Sequence, residues 1–175
     1  MSGRLVLITG GARSGKSRFA RERAAAGGSP VLFVATGLAT DPEMAARIAR
    51  HRAERPAEWT TLEARYDLAS ALRGRLSGER CILLDDLAAL VSNLLVERSA
   101  DEREILAEVE ELLGLARECS LELIVVSQEV GLGLVPSTAL GRKFRDLVGF
   151  ANQAMAAAAD EVLLLVAGLP LRLKG

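Results

Sequence analysis

The segment GGARSGKS at residues 10–17 constrains the fold more than any other feature of this sequence. It fits the pattern G-x-x-x-x-G-K-[ST], in which a glycine-rich loop connects a β-strand to an α-helix. An apolar run at 4–9 precedes it and helical periodicity follows it, which is the context that the pattern requires. A glycine-rich turn that matches by chance is the alternative, and this context disfavours it. The sequence therefore predicts a strand, a phosphate-binding loop and a helix in succession.

The residue types of this loop suit the phosphates of a nucleotide. Small residues allow the loop to wrap around an anion with its backbone N–H groups pointing inward, and the helix that follows presents its positive end. Lys16 can reach the β- and γ-phosphates, and the Ser17 hydroxyl can ligate Mg²⁺. The predicted nucleotide-binding residues of the loop are Gly10, Gly11, Ala12, Arg13, Ser14, Gly15, Lys16 and Ser17.

Short apolar runs recur along the chain, with helical segments between them. The runs are rich in Val, Ile and Leu without polar alternation, as expected for strands buried on both faces. We predict strands at 4–9, 30–35, 80–85, 121–127 and 160–167, a weaker strand at 58–64 and an edge strand at 169–174. We predict helices at 16–26, 42–54, 67–76, 87–97, 102–118 and 138–158. This order predicts one three-layer α/β domain over residues 1–175, P-loop NTPase-like, with a mainly parallel sheet flanked by helices.

Helix caps support two of these assignments. Asp41 is suited to be the N-cap of the helix at 42–54, and Pro42 to occupy its first position. Asp101 is suited to cap the helix at 102–118 in the same way, because its carboxylate can accept from a backbone N–H of the first turn.

Composition and charge disfavour several classes of protein. The chain carries 22 Lys and Arg against 23 Asp and Glu, a net charge of −1, which argues against a general nucleic-acid or membrane-surface binder. Cys81, in a strand, and Cys119, at a helix end, are too few for a disulfide framework, and we expect both in the core. The first apolar run is too short to span a bilayer and leads into the glycine-rich loop, so we expect no signal peptide, no membrane segment and a cytoplasmic location.

Asp85 is the candidate partner of Ser17 at a magnesium site. It ends the apolar run CILLD, and ligands of open α/β sheets bind beyond the carboxyl ends of the strands. P-loop enzymes place a strand-end acid beside the metal. The alternative is that Asp85 only caps the helix at 87–97, although Asp86 can fill that role.

His51 is the only histidine of the chain, and it lies in the arginine-rich segment RIARHRAERP at 47–56. On the predicted helix it shares a face with Met44 and Ile48, so a packed or interfacial histidine is the plain interpretation. The arginines around it have a plain interpretation too, a solvated helix face. However, positive neighbours favour neutral imidazole, which is the nucleophilic form, and guanidinium groups grip phosphates and stabilise developing charge. The residues alone leave both interpretations open.

Several segments together resemble a known family, the bifunctional adenosylcobinamide kinase/adenosylcobinamide-phosphate guanylyltransferases of cobalamin biosynthesis. The similarity extends over nearly the whole chain. It is carried by ITGGARSGKSRFA, FVATG, DPEMAARIARHRAERPAEW, ILLDDLAALVSNLL, EVGLGLVP and FRDLVGFANQAMAAAADEVLLLVAG. The first segment occurs in many P-loop proteins, whereas RIARHRAERPAEW and EVGLGLVP followed by FRD and NQ are far more specific.

The resemblance implies two reactions. ATP or GTP phosphorylates the aminopropanol hydroxyl of adenosylcobinamide, and GTP then delivers GMP to adenosylcobinamide phosphate, giving adenosylcobinamide-GDP and pyrophosphate. It implies that His51 becomes covalently guanylylated, that Lys16 is catalytic, and that Ser17 and Asp85 hold Mg²⁺. Further nucleotide contacts implied are Thr36, Gly37, Leu38, Arg52, Ala53, Glu54, Arg55, Glu63 and Asp85. For Glu63 we expect its carboxylate to accept from guanine N1–H and N2–H. A homotrimer is also implied, and LAALVSNLLV at 87–96 would supply a contact surface unless it is buried against the sheet.

The sequence departs from the family pattern in few places. Gln128 stands where the pattern has Asn, Asp85 where some members carry Glu, and Asp86 where the pattern has an uncharged residue. The segment VSQEVGLGLVP predicts a loop at the binding edge of the sheet, where Glu129, Gly131 and Gly133 either border the corrinoid or form a turn. Two other functions stay open, a small-metabolite kinase with a structural His51 and a regulatory nucleotide switch. The absence of an Asn-Lys-x-Asp segment counts against the switch.

Overall fold

A computed structural model describes residues 3–27, 30–37 and 42–175 of the chain. Leu38 and Asp41 lie outside these residues, so the contact predicted for Leu38 and the cap predicted for Asp41 are not described. The strands are β1 (Arg4–Gly10), β2 (Val31–Ala35), β3 (Thr60–Glu63), β4 (Cys81–Asp85), β5 (Glu122–Val126), β6 (Glu161–Val166) and β7 (Leu169–Lys174). The helices are α1 (Lys16–Ala26), α2 (Pro42–Ala53), α3 (Leu68–Arg73), α4 (Leu87–Glu97), α5 (Glu102–Glu118) and α6 (Ala139–Ala158).

The strands form one seven-stranded sheet in the order β3-β2-β4-β5-β1-β6-β7. All neighbours pair in parallel except β6 and β7, which are antiparallel. Strand β1 lies between β5 and β6, so the loop that follows it lies at the middle of the sheet's carboxyl edge. The predicted fold class, a mainly parallel sheet flanked by helices, is confirmed.

Two apolar cores cover the two faces of the sheet. One includes Leu5 and Leu7 of β1 with buried residues of α3, α4, α5 and α6. The other includes Val6 and Ile8 of β1 with Ala20 and Ala24 of α1. Successive β1 residues thus enter opposite cores, which explains why the run does not alternate with polar residues. The molecule has the predicted three layers.

The structure shows which cysteine is buried and where the apolar segment 87–96 packs. Cys81 is buried in β4, as expected. Cys119 was also expected in the core, but it is exposed, because it is the C-cap residue just beyond the end of α5. Helix α4 is buried against its own sheet along most of its length, and Val96 near its end is exposed. The contact surface suggested for 87–96 is therefore used inside the subunit.

The caps agree with the sequence where they are described. The Asp101 carboxylate accepts from Glu104 N, and the Glu104 side chain accepts from Asp101 N, a complete capping box for α5. Asp86 is the N-cap of α4 and accepts from Ala89 N at 2.6 Å. Helix α3 ends earlier than predicted because Gly74 stands at its C-cap. Within the described residues, the helices are too short or too polar to cross a membrane.

Candidate active site

The glycine-rich loop between β1 and α1 has little room for side chains at two positions. A Cβ on Gly10 would stand 2.6 Å from Ser14 Oγ and 2.7 Å from Leu165 O. Gly15 has φ +90°, which is strained for other residues, and a Cβ there would lie 3.3 Å from Gly168 Cα. The two glycines that define the motif are thus required by the shape of the loop itself.

Backbone hydrogen bonds hold this loop from both sides. Glu129 N, in the segment after β5, donates to Gly10 O at 3.0 Å. Gly168 N, in the turn between β6 and β7, donates to Ser14 O at 2.9 Å. Inside the loop, Lys16 is buried and its Nζ donates to Gly11 O at 3.0 Å. The loop is therefore fixed in shape before a phosphate arrives, which lowers the entropy cost of binding.

Ser17 and Asp85 meet at the carboxyl edge of the sheet, as the sequence predicts for a magnesium site. Ser17 Oγ donates to Asp85 Oδ1 at 3.1 Å. A hydroxyl and a carboxylate fit Mg²⁺, which takes few protein ligands and completes its shell with phosphate oxygens and water. Residues 3–27, 30–37 and 42–175 contain no group of three or more His, Cys, Asp or Glu that could hold a metal ion.

The charges around Asp85 act in opposite directions on its carboxyl group. Burial, and then the Asp86 carboxylate, raise the pKa of Asp85. The Ser17 hydrogen bond and the cationic Arg21 and Lys16 lower it. Burial makes the charged form of Asp85 unfavourable unless a cation lies beside it, so this carboxylate is suited to a cation site.

His51 lies on the last turn of α2, beside Asp85. Its Nδ1 is 4.0 Å from Asp85 Oδ2, and its side chain is 24% exposed. The two oxygens of Asp85 therefore connect the P-loop, through Ser17, with the helix that carries the only histidine. No sequence spacing predicts this meeting, because the three residues come from separate elements.

A cavity of about 490 Å³ opens beside this group. Its volume falls in the range of small-molecule sites, and apolar and polar residues line it in equal number. It extends from His51 along one side of α4. Its lining residues are Phe33, Ala35, Gly37, Ile48, His51, Arg55, Asp85, Asp86, Ala88, Ala89, Ser92, Asn93, Val96, Glu97, Gln128 and Phe144.

The arginine side chains that are described near His51, those of Arg50, Arg52 and Arg55, have separate environments. The Arg55 guanidinium lies 3.7 Å over the centroid of the Phe33 ring and lines the cavity, and burial lowers its pKa. Arg52 is exposed and pairs with Glu63. Arg50 is exposed, and the side chain of Arg47 lies outside the description. One guanidinium of the segment, that of Arg55, is thus in place to meet a ligand of the cavity.

Four other predicted contacts lie away from the cavity lining. Glu63, expected at guanine, is 64% exposed and holds Arg52. Glu54 pairs with Arg21, and Ala53 ends α2 beside it. Thr36 is buried, and its hydroxyl exchanges hydrogen bonds with the backbone of Asp86 at 2.7 and 2.9 Å. Gly37, which is also predicted to contact the nucleotide, lines the cavity.

Arg21 is a candidate residue that the sequence reasoning missed. It lies one turn after Ser17 on α1, its side chain is 12% exposed, and its Nη2 donates to Glu54 at 2.6 Å. Its buried Nη1 has no hydrogen-bond partner among the described residues, and its charge acts on Asp85. The i, i+4 relation to Ser17 is the signal that would have found it.

Two departures from the family pattern meet in one contact. Gln128 Nε2 donates to Asp86 Oδ2 at 3.1 Å, while the backbone oxygen of Gln128 accepts from Asn152 Nδ2 at 2.9 Å. Asn93 is buried and donates to Thr36 O at 2.8 Å. These bonds join the ends of β2, β4 and β5 to α4 and α6, so they fix the floor of the cavity. The longer amide of Gln128 and the added charge of Asp86 thus complement each other.

The sequence profile of one family, CobU: Cobinamide kinase / cobinamide phosphate guanyltransferase, matches residues 6–173. The chain belongs to the CobU family. It is accordingly a transferase, and the fold, the P-loop and the reaction classes suggested by the resemblance are those of this family.

Three relatives agree with this assignment over nearly full length. The CobU-family chain is 46% identical over 169 residues to the bifunctional adenosylcobalamin biosynthesis protein CobP of Pseudomonas aeruginosa, covering 97% of this chain and 96% of that protein. It is 41% identical over 182 residues to the protein of that description named CobU in Salmonella typhimurium, covering 97% and 99%. It is 39% identical over 181 residues to CobU of Escherichia coli, again covering 97% and 99%.

Solved structures show the same fold at low sequence identity. A KaiC-like protein of Pyrococcus horikoshii OT3 has a TM-score of 0.52 at 16% identity, with 93% of this chain and 71% of that chain covered. The RadB recombinase has a TM-score of 0.56 at 19% identity, with 93% and 74% covered. These structures support the P-loop NTPase-like fold of the CobU-family chain and carry no argument about its substrates.

Proposed function

We propose that this protein phosphorylates adenosylcobinamide with ATP or GTP and then converts adenosylcobinamide phosphate to adenosylcobinamide-GDP through a guanylylated His51. The observation that carries the proposal is the position of Asp85, between Ser17 of the P-loop at 3.1 Å and His51 of α2 at 4.0 Å. A kinase alone needs the P-loop and the acid. The histidine beside them adds a nucleophile for a second kind of transfer.

In the first reaction, the acceptor hydroxyl oxygen attacks the γ-phosphorus of the nucleotide. The bond from the γ-phosphorus to its bridging oxygen breaks, the nucleoside diphosphate leaves, and the hydroxyl proton passes to solvent or to a nearby base. Lys16 and the loop N–H groups stabilise the charge on the phosphates. When bound at Ser17 and Asp85, Mg²⁺ would neutralise phosphate charge.

In the second reaction, an imidazole nitrogen of His51 attacks the α-phosphorus of GTP. The bond between the α-phosphorus and the α–β bridging oxygen breaks, and pyrophosphate leaves. Because Nδ1 faces Asp85, we assign the attack to Nε2 on the opposite edge of the ring. A phosphate oxygen of adenosylcobinamide phosphate then attacks the same phosphorus and releases His51. Splitting the transfer into two steps in this way is the usual benefit of a covalent intermediate.

The cavity beside His51 supports this assignment. Its volume and its mixture of apolar and polar lining residues suit part of a large acceptor or a purine nucleoside. Arg55, held on the Phe33 ring, supplies a positive charge close to where the α-phosphate would lie. The cytoplasmic location and the homotrimer stay predictions, the former resting on two free cysteines.

Labelling with GTP that carries ³²P at the α-phosphate tests the proposal. The protein is incubated with Mg²⁺ and labelled GTP, denatured, and examined for label that acid removes and base does not, as expected for a phosphoramidate. We expect label on the unaltered protein and on Arg50→Gln, an exposed neighbour that serves as control, and none on His51→Ala. Label that persists in His51→Ala would refute the nucleophile. Phosphorylation without any label would favour the simple kinase.

A further inference from the structure

The two proposed reactions attack opposite ends of the same triphosphate. Phosphorylation attacks the γ-phosphorus, at the free end, and guanylylation attacks the α-phosphorus, next to the nucleoside. A triphosphate bound across the P-loop is a linear chain, so only one of its ends can face a given side of the loop. This inference rests on the proposed function, since a protein with one reaction would need one orientation.

The reactive side of the P-loop is the side of β4. The sheet order places β2 and β4 on one side of β1 and β6 and β7 on the other. Asp85, His51 and the 490 Å³ cavity all lie on the β4 side. An acceptor that enters this cavity meets whichever phosphorus points toward Asp85. The nucleoside is then in the cavity when the α-phosphorus is attacked, and on the opposite side when the γ-phosphorus is attacked.

The opposite side of the P-loop carries a surface that fits a nucleobase. The turn between β6 and β7 is bonded to the loop through Gly168 N and Ser14 O at 2.9 Å. Val166 and Leu169, which pair across this turn, are 58% and 72% exposed. Arg18, one residue after Ser17, is also exposed, and its Nη2 lies 3.4 Å from where a Cβ on Gly168 would stand.

These groups together form what we name the β6–β7 shelf, made of Val166, Leu169 and Arg18. Apolar side chains and a flat guanidinium bind the face of any purine by stacking, and they do so with little choice between bases. The cavity is different, because the Ser92 hydroxyl and the Glu97 carboxylate in its lining are groups that can hydrogen-bond to the edge of a base.

We propose that the P-loop binds nucleoside triphosphates in two opposite orientations. During guanylylation the guanosine occupies the cavity beside His51, and during phosphorylation the purine of the donor nucleotide lies on the β6–β7 shelf with its γ-phosphate toward Asp85. The shelf is thus a second nucleobase site. Because it holds the purine by stacking on its face, the phosphorylation step tolerates ATP and GTP, while guanylylation requires guanine.

Kinetics of paired variants test the shelf. The double variant Val166→Ser/Leu169→Ser removes its apolar part. Leu171→Ser/Leu173→Ser makes the same type of change at two exposed positions of β7 that lie farther from the P-loop. We expect the first to raise the KM for ATP in phosphorylation about tenfold, from lost apolar contact, and to change the KM for GTP in His51 labelling far less. We expect the Leu171→Ser/Leu173→Ser variant to change the KM for ATP and the KM for GTP to the same extent. Equal effects of the first variant on both reactions would overturn the proposal.

Photolabelling gives a readout that does not depend on turnover. The His51→Ala protein with Mg²⁺ is irradiated with 8-azido-ATP or with 8-azido-GTP, digested, and the labelled peptides are identified by mass spectrometry. We expect the ATP analogue to label residues 166–171 and the GTP analogue to label residues 88–97 as well. Label from both analogues confined to 88–97 would overturn the second orientation.

The failure of the inference is distinguishable from the failure of the proposed function. If α-labelled GTP leaves no label on His51, or adenosylcobinamide is not phosphorylated, the premise of two reactions fails. If both reactions proceed but the paired variants behave alike and the shelf takes no photolabel, the two orientations alone are refuted.

Discussion

At the scale of single residues, the site depends on the groups that contact the Asp85 carboxylate and on the cation of Arg21. Asp85 faces Ser17 on one oxygen and His51 on the other. Arg21 adds a buried cation that acts on Asp85 and also holds Glu54, three residues beyond the histidine. Because Glu54 follows the last turn of α2, this ion pair ties the histidine helix to the P-loop helix. We expect it to position His51.

Substitutions at this ion pair test its positioning role. Arg21→Gln and Glu54→Gln each break the contact, and we expect each to slow His51 labelling by GTP about tenfold, with the double variant no slower than either one, as for residues that act as a unit. Rates are measured at saturating GTP, so that weaker binding does not enter. Arg73→Gln, which breaks an exposed ion pair with Glu118, is the control. Strictly additive losses would contradict a joint role.

At the scale of elements, one buried carboxylate joins four segments at the edge of the sheet opposite the active site. Glu161, the first residue of β6, accepts from Arg4 of β1 and Arg23 of α1, and it also pairs with Arg172 of β7. Its side chain is 5% exposed. The bond from Arg23 is the largest of the effects that lower the pKa of Glu161, and burial acts against it. This cluster holds the terminal hairpin to the central strand.

The lowered pKa predicts how stability depends on pH. A carboxyl group whose pKa is lower in the folded than in the unfolded chain stabilises the fold above its unfolded pKa of about 4.3, and this contribution is lost as pH falls through the folded pKa. We expect Glu161→Gln to reduce the free energy of unfolding by about 2 kcal/mol at pH 7, as for a charged hydrogen bond, and by less near pH 3.5. Urea unfolding at both pH values measures this.

A control variant shows whether the loss of stability in Glu161→Gln is specific to that buried carboxylate or follows the loss of any carboxylate. Glu118→Gln removes an exposed carboxylate that pairs with Arg73, and exposed pairs contribute little. We expect it to change the free energy of unfolding by less than about 0.5 kcal/mol at pH 7. A loss for Glu161→Gln that stays constant from pH 7 to pH 3.5 would show that its charge is not what stabilises the fold.

At the scale of the whole molecule, the parallel sheet brings the ends of β1, β2, β4 and β5 to one edge. The P-loop, Thr36, Asp85 and Gln128 come from these four strand ends. Asp86, which follows Asp85, hydrogen-bonds with both Thr36 and Gln128, and Asp85 accepts from Ser17. Nucleotide binding at this edge therefore stabilises the entire domain and not a single loop. Linkage makes that stabilisation measurable as a rise in melting temperature.

Thermal unfolding with and without nucleotide tests this expectation. At a concentration about 100 times Kd, Mg²⁺-GTP should raise the Tm by about 5 to 10 °C. Lys16→Met should abolish most of the rise, because the lost ammonium is the group that reaches the β- and γ-phosphates. Lys143→Met, at an exposed position of α6, is the control and should keep the rise. An undiminished rise in Lys16→Met would contradict the assigned phosphate site.

By itself, the sequence determined the order of elements, the phosphate-binding loop and the strand-end acid. These are local properties, since apolar runs, caps and glycine spacing act between residues that are near one another in the chain. Asp85 followed from one general rule, that parallel strands bring their carboxyl ends to one edge. The role proposed for His51 came from the resemblance, because amphipathic periodicity alone also fits a packed histidine.

Only the tertiary structure decided which side chains meet. Arg52 and Glu63, both predicted at the nucleotide, pair with each other, Arg55 stacks on Phe33, and Arg21 was not foreseen at all. The Thr36 hydroxyl is used by the backbone of Asp86. Such contacts join residues far apart in the chain. They depend on the orientation of long side chains on packed elements, which periodicity and spacing do not encode.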